Sequence, residues 1–270
     1  MLRILDARTG EPAPAAPARR GLTRVEAYVP GLDLTALRVL LTADVLVRAL
    51  ELGGTPVWAT LTAPHHLAEL RTAATTLGIR PFEDAHDPAP TLGDAQVVQV
   101  RAKAAGESAG EGEPEGTPPA RGTGSVLAVA AAAWEEGPTR PAPVPGPDPV
   151  AALGGLLADP AALRLALLSV PRTSPVRLDG EALRQAGETL ARWRGAVAGW
   201  AREPSRPVPD EVRGRLRDAW EDDLDLPAVL AVLRDVETAS GLPGGARFET
   251  YAYAERLVAL DLLSGLGSPA

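Results

Sequence analysis

Apolar positions follow two different periods along the chain, and the change of period divides it. In the first half, short apolar runs of strand type fall at residues 2–5, 25–29, 57–61, 96–100 and 126–130. Between the second and third runs, residues 34–52 carry apolar side chains at helical spacing and stop at Gly53-Gly54. A further helix is predicted from Thr62 and Pro64 to Leu77, closed by Gly78. This strand–helix alternation predicts a parallel, Rossmann-like sheet. From Val150 the period is helical throughout, over 153–157, 161–169, 180–200, 210–221, 227–240 and 248–263, with no strand long enough to interrupt it. The fold class is therefore α/β: a truncated Rossmann-like domain over 1–149, followed by an all-helical bundle over 150–270.

Two segments lack any period. Residues 102–124 are rich in Gly, Glu and Pro and predict a mobile surface loop. Residues 137–149 are Pro-rich and separate the halves. The content of hydrophobic residues, 45%, is enough for a core, and the net charge of -8 argues against nonspecific nucleic-acid binding. Absence of cysteine excludes disulfides and thiolate metal sites. No apolar run reaches the roughly 18 residues of a membrane span. The opening Met1-Leu2-Arg3-Ile4-Leu5-Asp6 turns polar too soon for a secretory leader. A cytoplasmic protein is expected.

Candidate chemistry is sparse. His65 and His66 are adjacent, so on a helix they diverge and chelate poorly, and they read as polar residues in the first turn after Pro64. Asp33 precedes a helical run and reads as its N-cap. Trp193 and Trp200 are seven residues apart on one helix face and read as core rather than as a base-stacking platform. Arg192, Arg194 and Arg202, and likewise Arg213, Arg215 and Arg217, alternate with acids and read as solvated faces rather than an RNA patch. Glu221-Asp222-Asp223 with Asp225 reads as the start of a helix at Pro227.

Two segments carry a resemblance. Asp159-Pro160-Ala161-Ala162-Leu163-Arg164-Leu165-Ala166-Leu167-Leu168-Ser169 continues into Ser174-Pro175-Val176-Arg177-Leu178-Asp179. Later comes Ala219-Trp220-Glu221-Asp222-Asp223-Leu224-Asp225-Leu226-Pro227-Ala228-Val229-Leu230. In this order they resemble the stretch that follows the active site in cysteinyl-tRNA synthetases and in the cysteine ligases of mycothiol biosynthesis. The helix with Leu37-Arg38, Ala43-Asp44-Val45-Leu46 and Arg48 is similar to the one that follows the family's first signature.

That resemblance implies a site, and the sequence departs from it. The family's His-Ile-Gly-His, which binds ATP phosphates at a helix start, is replaced by Asp33-Leu34-Thr35-Ala36. Pro30 stands where a zinc-binding Cys is expected. The second signature, Lys-Met-Ser-Lys-Ser, falls in 137–155, which holds Arg140 and no lysine; Lys103 is the only lysine in the chain. No metal and no cofactor is expected, and ATP is not supported by the motifs. Three readings remain open. One is a degenerate paralogue acting as a binding or regulatory module on an unidentified protein partner or small ligand, with tRNA weakly supported. Another keeps a nucleotide or aminoacyl group in a crevice formed by Asp33, Arg38, Thr62, His65 and His66. The third is an active ligase rebuilt around Arg38, Asp44 and His65 or His66.

Overall fold

The chain opens on an antiparallel hairpin, β1 (Arg3–Leu5) against β2 (Pro12–Pro14), in a computed structural model that describes residues 1–17, 21–84, 96–103, 124–135, 149–264 and 266. There follow β3 (Thr23–Tyr28), α1 (Leu34–Leu52), β4 (Val57–Thr62), α2 (Leu67–Thr76), β5 (Glu83–Asp84), β6 (Gln96–Ala102) and β7 (Ser125–Val129). The last five strands form one parallel sheet in the order β5-β4-β3-β6-β7, with Val25 of β3 in register with Ala59 of β4 and Val98 of β6. The parallel α/β sheet is the one the alternating pattern predicts. The run at 2–5, however, pairs with β2 and stays out of the sheet. Strand order reverses beside β3, so the crevice of an open α/β sheet lies at the C-terminal ends of β3 and β6.

After β8 (Ala132–Trp134) the chain forms α3 (Pro149–Leu156), α4 (Pro160–Leu168), β9 (Val176–Leu178), α5 (Gly180–Trp200), α6 (Asp210–Glu221), α7 (Leu226–Thr238) and α8 (Gly244–Val258). The expectation of an uninterrupted helical half is corrected by β9. This strand runs parallel to β8, with Ala132 opposite Val176, and it alternates buried Val176 and Leu178 with exposed Arg177. Three residues are too few for a period of two to be read from sequence alone. The final helix spans Gly244–Val258 rather than 248–263. It stops because Ala259 adopts a left-handed φ of 47, and the Glu255 carboxylate then accepts the N–H groups of Leu260 and Asp261. Likewise α2 starts at Leu67 because His66, at φ 54, turns the chain left-handed just before it.

Aspartates start three helices of the second half. Asp159, Asp179 and Asp225 each accept the backbone N–H three residues on, from Ala162, Ala182 and Ala228. Nearly all of α1 is buried, as expected for a helix apolar around most of its circumference, and it packs against the sheet, α2, β8 and α8. One hydrophobic cluster runs from the sheet through α1 into the helices. Inside the bundle Tyr251 packs edge-on against Trp193 (centroids 5.8 Å apart) and Trp200 (5.3 Å) and donates to the Leu233 carbonyl at 2.9 Å. Both tryptophans therefore serve packing. The predicted loop over 102–124 and the separator at 137–149 fall almost wholly outside the described residues. Among the described residues no helix is long and apolar enough to cross a membrane.

Candidate functional site

The lip of the crevice is the start of α1, which follows β3 directly. Asp33 caps it: the carboxylate accepts the Ala36 N–H at 2.7 Å and the side chain is exposed. Leu34 and Ala36 are buried. Between them the Thr35 hydroxyl donates to the Ala132 carbonyl and accepts the Ala132 N–H, both at 3.1 Å. A side chain thus completes the edge of β8 and lays that strand across the first turn of α1. This leaves a negative charge and a strand where a phosphate-binding site needs free N–H groups and positive charge.

Arg38, one turn further on, has its guanidinium engaged entirely by backbone carbonyls. Its Nη1 donates to the carbonyls of Ala130 (2.9 Å), Ala131 (3.3 Å) and Ser174 (2.8 Å), and Nη2 to those of Val170 (3.3 Å) and Pro171 (2.7 Å). The side chain is 2% exposed, and no carboxylate among the described residues pairs with it. Burial pushes its pKa down to about 10. Arg38 is a tie between α1, the β7–β8 connection and the α4–β9 loop.

The other candidates lie at the end of the neighbouring strand. The Thr62 carbonyl accepts the Val29 N–H at 3.0 Å, fixing the exit of β3 against that of β4. His65 and His66 are exposed, and His66 is the residue before α2 rather than part of its first turn; its side chain makes no capping bond. The structure thus brings Asp33, Thr62, His65 and His66 to the C-terminal edge of the sheet, and it engages the Arg38 guanidinium with backbone carbonyls. His86 and Arg140 lie outside the described residues. Among the described residues no group of three or more His, Asp and Glu is close enough to hold a metal ion.

Asp44 carries the densest electrostatics. It is 1% exposed and accepts from Arg164 (2.9 Å), Arg48 (2.8 Å) and Arg80 (3.3 Å). Arg164, also 1% exposed, donates in addition to the carbonyls of Val258 (2.7 Å) and Leu77 (3.2 Å). Burial pushes the Asp44 carboxyl up, but the charges of Arg164 and Arg48 and their hydrogen bonds more than reverse this, and the pKa is lowered. The signal was present in the sequence: one acid inside an apolar helix with Arg48 four residues on, and one cation inside the apolar run of α4. Asp223, expected at the helix start, instead accepts the Leu5 N–H at 2.7 Å and pairs with Arg172. Only Asp225 of that acidic run caps α7.

No protein-family model matches the chain. It is 41% identical over 87 residues to the L-cysteine:1D-myo-inositol 2-amino-2-deoxy-alpha-D-glucopyranoside ligase of Streptomyces griseus, covering 32% of this chain and 20% of that ligase. To the ligase of the same name from Parafrankia sp. it is 45% identical over 89 residues, covering 33% and 19%. To that of Segniliparus rotundus it is 37% identical over 108 residues, covering 40% and 24%. The chain matches only about a fifth to a quarter of the length of these curated relatives. The resemblance to cysteine ligases read from the sequence holds over about a third of the chain.

Proposed function

We propose that the chain is a cysteine-ligase-like binding or regulatory module that forms no adenylate. The observation that carries this reading is the commitment of the α1 start to structure. Thr35 and Arg38 hold the backbone of residues 130–132 and 170–174, and Asp33 holds its own helix. Adenylation needs positive charge and free donors around the phosphates, whereas here Asp33 places a carboxylate at the helix start and takes up the Ala36 N–H, and the Arg38 guanidinium is engaged by carbonyls. Asp44, which a rebuilt active site would need, is buried under three guanidiniums. The module works in the cytoplasm on a protein partner or a small ligand, without a metal or a nucleotide cofactor.

One observation favours a second reading. Thr62, His65 and His66 stand at the C-terminal edge of the sheet after β4, beside a start of α2 whose N-cap residue, His66, makes no side-chain capping bond. Ligand retention without activation would use that edge. The two readings separate in the thermal unfolding midpoint, measured with ATP and with a non-hydrolysable cysteinyl-adenylate analogue. A ligand at about a hundred times its dissociation constant adds roughly 2.7 kcal/mol, and a chain of this size gains about 2–4 °C per kcal/mol. The first reading predicts no change with either compound. A saturable rise of several degrees, lost on replacing His66 with alanine, would replace it with the second.

A further inference from the structure

Residues of α1, the end of α4 and the Leu224–Pro227 turn enclose a narrow cleft. Its walls are apolar except for Thr42 and two guanidiniums, Arg38 and Arg172. Both arginines are buried, at 2% and 8% exposure. Arg38 meets only neutral carbonyls. Arg172 donates through Nη1 to the Ala128 carbonyl at 2.6 Å, and through Nη2 to Asp223 and to the Leu5 carbonyl at 3.5 Å. Its Nε is buried and has no acceptor among the described residues. Two cations therefore line this cleft with one carboxylate between them, and one buried donor is left over. Buried charges are ordinarily balanced and buried donors ordinarily satisfied.

We propose that the cleft binds a small monovalent anion, a halide or the carboxylate of a short acid, against Arg172. The ion supplies both missing items, an acceptor for Nε and a second negative charge. Its size is set by the cleft, whose centre has room for little more than a water-sized group. Nucleotides and large organic anions do not fit. Leu41, Val45 and Leu168 strip the ion of water, which favours weakly hydrated species over strongly hydrated ones. The wall nearest Asp223 is Leu224, and both residues stand at left-handed φ, 54 and 57. That strained turn is the part that yields to let the ion reach Nε.

The test replaces sodium gluconate stepwise by sodium chloride, bromide, formate or acetate at constant ionic strength and follows the thermal midpoint. A saturable rise of several degrees is expected for at least one small anion, and the anion that saturates separates a halide site from a carboxylate site. Val45→Phe, which fills the cleft, abolishes the rise. Crystals soaked in bromide carry an anomalous peak beside Arg172. The proposal is overturned if all anions shift the midpoint linearly and equally with gluconate, or if bromide decorates exposed arginines alone (an adventitious ion only). Should Val45→Phe fail to fold, the peak in the unsubstituted protein decides.

Discussion

Arg164 reaches from α4 to the carboxylate of Asp44 in α1 at 2.9 Å, and neither side chain is more than 1% exposed. This pair joins the sheet half to the helical half at the centre of the molecule, with Arg48 and Arg80 completing the shell around the carboxylate. Removing one partner of such a pair leaves an uncompensated buried charge and costs about 3–5 kcal/mol. Asp44→Asn is therefore expected to lower the unfolding free energy measured in urea by that amount. The double change Asp44→Leu with Arg164→Met removes both charges and is expected to cost less than Asp44→Asn. A double variant weaker than the single one contradicts the account.

The same carboxylate sets an acid limit. Its pKa is lower in the folded chain than the ordinary 3.8, so in the unfolded chain it binds a proton at higher pH. Its contribution is complete above the unfolded value and is lost as pH falls through the folded one. Stability of the unsubstituted protein should therefore fall more steeply below about pH 4 than that of Asp44→Asn. Unfolding free energies measured across that range check this, and parallel slopes would refute it.

Arg38 separates a structural from a ligand-binding role. Lysine offers three donors from one nitrogen and cannot span carbonyls on the β7–β8 connection and the α4–β9 loop together. Arg38→Lys is expected to cost at least about 3 kcal/mol, read by chemical denaturation in the absence of any ligand. A fully stable variant that had merely lost affinity for a nucleotide would put Arg38 back in the crevice.

Two glycines are expected to respond oppositely to alanine. At Gly245 an added Cβ overlaps the carbonyl of Pro204 and sits 3.2 Å from the Arg206 nitrogen, both rigid backbone. Gly245→Ala should destabilise by about 1–3 kcal/mol or more. At Gly187, inside α5, a Cβ meets only ordinary contacts, 3.5 Å from the Asp159 carboxylate and 4.0 Å from Ala162. Gly187→Ala should stabilise by up to about 1 kcal/mol through helix propensity. Thermal midpoints moving in the same direction contradict this packing.

Local chemistry was legible in the sequence wherever local chemistry decides. The Asp33 cap, the stop of α1 at Gly53-Gly54, the Asp159-Pro160 start of α4 and the core role of Trp193 all follow from neighbours within a turn or two. Arg38 and Asp44 were visible as unusual residues in an apolar helix, but their partners lie 92 to 136 residues away for Arg38 and 120 away for the Asp44–Arg164 pair. Nothing in a period or a motif specifies which carbonyls will meet a guanidinium across such distances. β9 and the early stop of α8 escaped for a different reason. The strand depends on tertiary support from β8, and the helix stop depends on a left-handed turn at Ala259, a non-glycine residue with no sequence mark of a stop, closed by the Glu255 carboxylate.

The most direct test of the central claim is cysteine-dependent exchange of labelled pyrophosphate into ATP by the purified chain. With the α1 start committed to Ala132 and its neighbours, no exchange above background is predicted, with or without added zinc. Exchange that depends on cysteine and disappears on replacing His65 and His66 would contradict the account and identify an active ligase.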